Sequence, residues 1–389
     1  MERFDLLIAG AGCAGLSLAV QLATQGLAGR RVLVVDPRLS HGRDRTFCFW
    51  DVARHPFEDA VSHRWSRWRV AAPGGTHVAT STRHAYCHLP GDAFYRAALD
   101  RLGREPDITV RLGVGVEALR EDPSGIVAHT TAGAIRCELA FDGRPLRLPP
   151  APAGEVRLLQ HFGGRLVRTE EPIFDPSTVT LMDFDLPLRG AHFMYALPFD
   201  EHTALVEDTW MTATPGASYD QHMDEWLRRA GASRWEVLGE ERGVLPMTTE
   251  RLAPPGLRVV PIGLRGGAAR PSTGYAFLAI QRTAAELARQ VLSGTAHPRV
   301  EAHSRTTERL DRIFLDHLAR SPDGAPDLFL SLFSKAPADA VVRFLSEVGT
   351  PSDVLAVMRA CPSLPFARAA LRQLPGLLRD QPRTRHGWE

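Results

Sequence analysis

The sequence predicts an α/β fold: a Rossmann-type domain, an inserted antiparallel-sheet domain and a helical C-terminal region. Three observations carry this. A glycine loop joins an apolar run to a helical run near residue 10. Strand-like segments with turn signals fill residues 146–254. From Phe277 onward the pattern is helical, punctuated by prolines.

The first run, Phe4 to Ala9, is apolar except for Asp5, which suits a buried parallel strand. Gly10-Ala11-Gly12-Cys13-Ala14-Gly15 then matches G-x-G-x-x-G. Ala14, Leu18, Leu22 and Ala23 fall on one helical face, and Gly26 and Gly29 end that helix. Arg31 to Val35 reads as a second strand, with Asp36 at its end, 21 residues after Gly15. Each part has a physical task. Gly10 permits the tight turn. Gly12 lets backbone approach a pyrophosphate, and Gly15 lets helix and strand pack closely. The helix N-terminus offers free N–H groups to phosphate, and Asp36 is placed to accept hydrogen bonds from ribose hydroxyls. A dinucleotide site at Gly10, Gly12, Cys13, Ala14, Gly15 and Asp36 is therefore expected.

A motif this early is characteristic of FAD proteins, whose sheet is completed by distant chain. The late segment Val259 to Gly267, then Arg270 to Tyr275, supplies such a piece. Gly263, Gly266, Gly267, Thr273 and Gly274 are expected at the flavin, with a helix starting near Ser272 or Thr273. The expected domain is thus FAD-binding and glutathione-reductase-like, formed from about 1–60, 90–145 and 255–290. The substrate domain is expected from 61–89 and 146–254, after a Pro/Ala linker at 149–154, with Gly163-Gly164 and 199–202 as turns. Residues 291–389 complete the helical region.

Composition narrows the function. The 389 residues are 44% hydrophobic and 23% charged, with a net charge of only +1, so no basic field points to nucleic acid. Five scattered cysteines without C-x-x-C spacing argue against a disulfide framework and for a reducing cytoplasm. The fifteen histidines show no ligand spacing, so no metal is expected. Neither a signal peptide nor a stretch of transmembrane length is evident.

Further segments resemble those of the bacterial flavin-dependent lycopene cyclases, relatives of plant lycopene β-cyclase. They are Arg45-Thr46-Phe47-Cys48-Phe49-Trp50, Phe141-Asp142-Gly143-Arg144-Pro145, Gln160-His161-Phe162-Gly163-Gly164, Leu181-Met182-Asp183-Phe184, Phe193 to Pro198, Leu205-Val206-Glu207-Asp208-Thr209, Gly243 to Met247 and Arg270 to Tyr275. Phe47-Cys48 replaces the family's Trp–Ser pair, and Gly263-Leu264 stands where many relatives have Gly-Asp. The resemblance implies a non-redox isomerisation of lycopene end groups to β-rings. FAD would act in its reduced form, with NAD(P)H as electron donor. It implies Glu207 as the essential acid, with Asp208 beside it. On a strand these two side chains point to opposite faces, so only one reaches a pocket. Arg45 and Asp142 are implied at the cofactor, although Asp142 and Arg144 also read as a structural pair. Phe47, Trp50, Phe162, Tyr195 and Tyr275 are implied around a polyene, whose cationic intermediates aromatic faces favour. Asp183 reads either as a surface residue or as a second acid, and His161 as structural. Lycopene resides in bilayers, so peripheral attachment to the inner face of the cell membrane is expected. Leu364, Phe366, Leu371, Leu374, Leu377 and Leu378, interspersed with Arg368, Arg372 and Arg379, form a basic amphipathic candidate for it. The rival reading is an FAD-dependent oxidoreductase or monooxygenase acting on another isoprenoid or lipid.

Overall fold

The computed structural model describes residues 1–378 except 44, 147, 149–154, 217, 251–253 and 255, with side chains through 374. The expected 149–154 linker, Arg379 and the side chains of Leu377 and Leu378 lie outside the described residues.

Three sheets organise the chain. The first has the order β8 (Ile108–Leu112), β2 (Val32–Asp36), β1 (Glu2–Ala9), β11 (Gly133–Asp142), β10 (Gly125–Thr130), β9 (Val116–Asp122), with β17 (Val259–Pro261) also on β11. β8, β2, β1, β11 and β17 run parallel, and β9–β10–β11 is an antiparallel meander. Leu7, Ile8, Leu33 and Val34 are fully buried, as continuous apolar runs in a two-sided parallel sheet must be. Helices α1 (Cys13–Gln25), α2 (Gly91–Leu102) and α4 (Phe277–Leu292) contribute to the core on one face of this sheet.

The second sheet has the order β16 (Trp235–Met247), β12 (Leu158–Thr169), β15 (Thr203–Thr212), β14 (His192–Pro198), β13 (Thr178–Asp183), β5 (Arg67–Ala72), β6 (Gly75–Thr80). It is antiparallel except where β13 pairs with β5. One face carries Phe193, Tyr195, Leu197, Leu205 and Met247 into a core shared with the C-terminal helices. The other carries Met194, Ala196, Ala204 and Val206 against α3 (Tyr219–Arg229). A third sheet, β3 (Thr46–Trp50), β7 (Tyr86–Pro90), β4 (His63–Trp65), brings the Arg45–Trp50 segment between these cores. Helices α5 (Arg305–Arg320), α6 (Ala325–Lys335), α7 (Ala338–Leu345), α8 (Pro351–Ala360) and α9 (Ser363–Leu378) complete the chain.

Two local expectations are corrected. Gly163-Gly164 is not a turn: both residues lie inside β12, paired on both sides. A Cβ on Gly163 would sit 2.8 Å from the Tyr219 side chain, so the absent side chain admits α3. Nor does a helix begin at Ser272 or Thr273. Gly274 N–H donates to the Arg270 carbonyl and Arg270 N–H to that of Tyr275, closing a turn that delays α4 to Phe277. The 199–202 turn forms as expected, with His202 N–H donating to Asp200.

Candidate active site

The glycine loop has the geometry its spacing implies. Gly10 has φ of +107°, and a Cβ on Gly15 would lie 1.9 Å from the Gly10 carbonyl oxygen. Cys13 and Ala14 open α1 behind Gly12, whose N-cap position brings no capping side chain, and no acid occupies the first turn. The first amides of α1 therefore face outward without an internal carboxylate. Asp36 accepts from the Ala11 N–H at 2.8 Å and pairs with Arg38 at 3.0 Å. Burial alone would raise the Asp36 carboxyl, but the Arg38 contacts outweigh it and hold it below the usual range.

The late glycines close on this loop. Gly263, with φ of +61°, lies so near α1 that a Cβ would come within 2.8 Å of the Ala14 methyl. Gly266 sits against the Pro261 carbonyl and Gly267 N–H donates to the Leu264 carbonyl. Gly274, with φ of +71°, lies under Gln160, whose buried Oε1 has no hydrogen-bond partner. Thr273 Oγ1 accepts from the Tyr275 N–H. Asp142 is fully buried, with Arg144 bonding both its oxygens at 2.9 Å and Arg265 at 3.6 Å. Its side chain thus locks the turn beside Gly10, while the Arg45 carbonyl accepts from Gly91 N–H at the start of α2.

The second sheet presents a row of aligned residues on its inner face. Across β14, β15, β12 and β16 the register places Tyr195, Glu207, Gly164 and Glu241 side by side. Glu207 lies in the middle of β15. A Cβ on Gly164 would be 2.9 Å from Glu207 Cγ and 3.2 Å from Glu241 Cγ, so both chains fold over the space this glycine leaves. Burial, and then the charge of the adjoining Glu241, push the Glu207 carboxyl well above the usual carboxylate range. Thr46 Oγ1 of β3 donates to Glu241 Oε2 at 2.9 Å. Glu241 is the site residue the sequence reading missed.

The aromatic candidates divide. Tyr195 bonds Tyr86 hydroxyl to hydroxyl at 3.1 Å. Trp50 lies 4.6 Å from Tyr86 between ring centroids, and Tyr275 packs on the same core. Phe162 lies two positions along β12 from Gly164, its ring over Gly243. Phe47 instead packs on Phe94 and Phe277 in the core beneath the first sheet.

Asp208 faces the other side. It is fully buried and accepts from His192 Nε2 at 2.6 Å and His222 Nδ1 at 2.7 Å, and these three could hold a metal ion. Each Asp208 oxygen already has an imidazole donor. His161 bonds the Tyr219 and Thr212 hydroxyls on this back face. Asp183 is buried and paired with Arg69 at 2.8 Å, with Trp226 also donating to it.

Solved structures share this fold. A geranylgeranyl bacteriochlorophyll reductase-like protein from Thermoplasma acidophilum superposes with a TM-score of 0.65 at 14% identity, covering 97% of this chain and 100% of that one. The flavin-dependent monooxygenase PieE, in complex with FAD and substrate, gives 0.60 at 13% identity, covering 95% and 72%. Among curated proteins, a lycopene beta-cyclase of Paracoccus sp. is 27% identical over 416 residues, spanning 95% of this chain and 97% of that protein. The lycopene beta cyclase of Synechococcus elongatus is 26% identical, covering 75% and 72%. A neoxanthin synthase of Solanum lycopersicum is 25% identical, covering 79% of this chain, which spans 64% of that longer protein. The model of the lycopene cyclase protein family matches residues 5–371. The chain belongs to the lycopene cyclase family.

Proposed function

We propose that this protein closes β-rings on the acyclic end groups of lycopene, by acid-initiated cation chemistry without net redox. The observation that carries the reading is Glu207, placed beside Tyr195 and over Gly164 on an apolar, aromatic-lined sheet face, where burial pushes its carboxyl well above the usual carboxylate range. An alkene is a weak base, so its protonation needs an acid in a dry site. The Glu207 proton adds to C2 of the end group and leaves a tertiary cation at C1. The C5–C6 π pair closes the C1–C6 bond and leaves the cation at C5; loss of the C6 proton gives the ring alkene, and uptake of one proton restores the Glu207 carboxyl. Atoms and charge balance, so product and substrate have equal mass.

The loops described above fit FAD. Gly10, Gly12, Gly15 and the α1 amides would hold its pyrophosphate, and Asp36 with Arg38 its ribose. Gly263, Gly266, Gly267 and Gly274, with the unpartnered Gln160 Oε1, would border the ring system. Bound there and kept reduced by NAD(P)H, FAD would supply negative charge able to stabilise a nearby cation. We also propose that the protein docks on the bilayer that holds its substrate, through α8 and α9. These meet at 113°, and no single helix among the described residues is long and apolar enough to cross a membrane.

Expression in a lycopene-accumulating bacterium tests the central reading. Wild type is expected to yield pigment of unchanged mass and shorter-wavelength absorption. Glu207→Gln is expected to retain flavin and lose at least a thousandfold in product formation. Cells holding soluble flavoprotein but unchanged lycopene would overturn it. A product shifted by hydrogen or oxygen mass would favour the oxidoreductase reading.

A further inference from the structure

We propose that Glu207 and Glu241 form a singly protonated carboxyl pair, in which Glu241 is the positioning residue that holds the reactive proton on Glu207. The inference rests on Glu207 being the acid.

The geometry comes from three adjacent strands. Glu207 on β15 and Glu241 on β16 both stand opposite Gly164 on β12, and both lean over it. Both side chains crowd into the space above Gly164, and two carboxyls so confined repel each other if both ionise, so one of them keeps its proton. The remaining contacts decide which side holds it. Thr46 donates its hydroxyl proton to Glu241 Oε2, so Glu241 is the acceptor end of the chain Thr46–Glu241–Glu207. Glu207, between Glu241 and Tyr195, is left as the donor.

Among the described residues, Thr46, Tyr195 and Cys48, all uncharged, are set against the pair on this face. Cys48 of β3 interacts with both carboxyls and with Tyr195, and its thiol is itself pushed up by burial. Tyr195 and Tyr86 hydroxyls are held neutral by burial. The charged neighbours, Asp208, Arg242, Arg165 and Glu240, are engaged elsewhere: Asp208 with His192 and His222, Arg242 with Asp220, and Arg165 with Asp220, Asp224 and Glu240. The like-charged partner in a low-dielectric site is therefore what keeps Glu207 protonated at neutral pH, as in other carboxyl pairs that cannot both ionise.

The sign follows. Activity requires protonated Glu207, so it falls as pH rises through the elevated pKa of that group. Replacing Glu241 by Gln removes the like charge, lowers that pKa, and moves the alkaline limb to lower pH.

The test uses purified flavoprotein with lycopene in detergent, assayed across pH, together with infrared titration of the protonated-carboxyl band. Glu241→Gln is expected to shift the alkaline limb down by about one pH unit or more, and to shift the carboxyl band equally. Glu241→Asp, which keeps the charge, should stay within about half a unit of wild type, at a reduced rate. Thermal midpoint and flavin absorbance report folding. An alkaline limb and carboxyl band unchanged in folded Glu241→Gln would overturn the pair. A band that titrates as described, in an enzyme that leaves lycopene unchanged, would overturn the cyclase reading while leaving the pair standing.

Discussion

At the scale of residues, Gly164 is the position through which the site is assembled. It offers no side chain because two others occupy its space. Gly164→Ala is expected to force the two glutamates apart, costing about 1–3 kcal/mol of stability. Product formation should fall at least tenfold while flavin is retained, as checked by urea unfolding, flavin absorbance and pigment assay. The same glycine explains what sequence reading missed. A Gly-Gly pair is a usual turn signal, and only the register across three strands reveals it as a gap filled from both sides. Glu241 stands in a Glu-Glu-Arg run that reads as solvated surface, and Glu240 and Arg242 are indeed exposed. The usable signal was alternation: Glu241, Gly243, Leu245 and Met247 share one face of β16. Glu207 was legible because its block resembles a known one, not because of its composition.

At the scale of elements, local sequence spelled out β1, α1 and β2, since glycine spacing and apolar runs act over a few residues. It did not spell out the start of α4. There the Arg270 side chain is pinned to Asp311 of α5 at 3.1 Å and to the Phe344 carbonyl, which fixes the turn ahead of α4. No local pattern encodes a partner that distant. The same holds on the back of the second sheet, where α3 delivers His222 to Asp208 and His192 completes the trio. Asp208→Ala would strand the buried His192 imidazole and the half-buried His222 and is expected to cost about 3–5 kcal/mol. Urea midpoints measure this. The protein that remains folded should keep its turnover rate, because Asp208 faces away from the row that holds Glu207.

At the scale of the whole molecule, the α/β class and the helical C-terminal region followed from pattern alone, whereas the outward face of the last helices needed coordinates. Met358, Leu364 and Leu371 are 55%, 60% and 64% exposed, alongside exposed Arg359 and Arg368. Arg372, by contrast, turns inward to Asp316. This corner is the proposed bilayer contact. Paired Leu364→Ser and Leu371→Ser changes are expected to lower recovery with anionic liposomes roughly tenfold while leaving activity in detergent intact. Equal recovery of both proteins would sink it. The first sheet has a consequence in time. β1 is flanked by residues 32–35 on one side and 135–142 on the other, and β11 in turn receives 259–261. A ribosome must therefore have released 142 residues before β1 has both its neighbours, and 261 of the 389 before β11 has its own. Until then the apolar α1 surface, later covered by α4, stays uncovered on the nascent polypeptide. Such long-range closure is slow, which makes this a protein whose yield should depend on chaperone supply and on low growth temperature during synthesis.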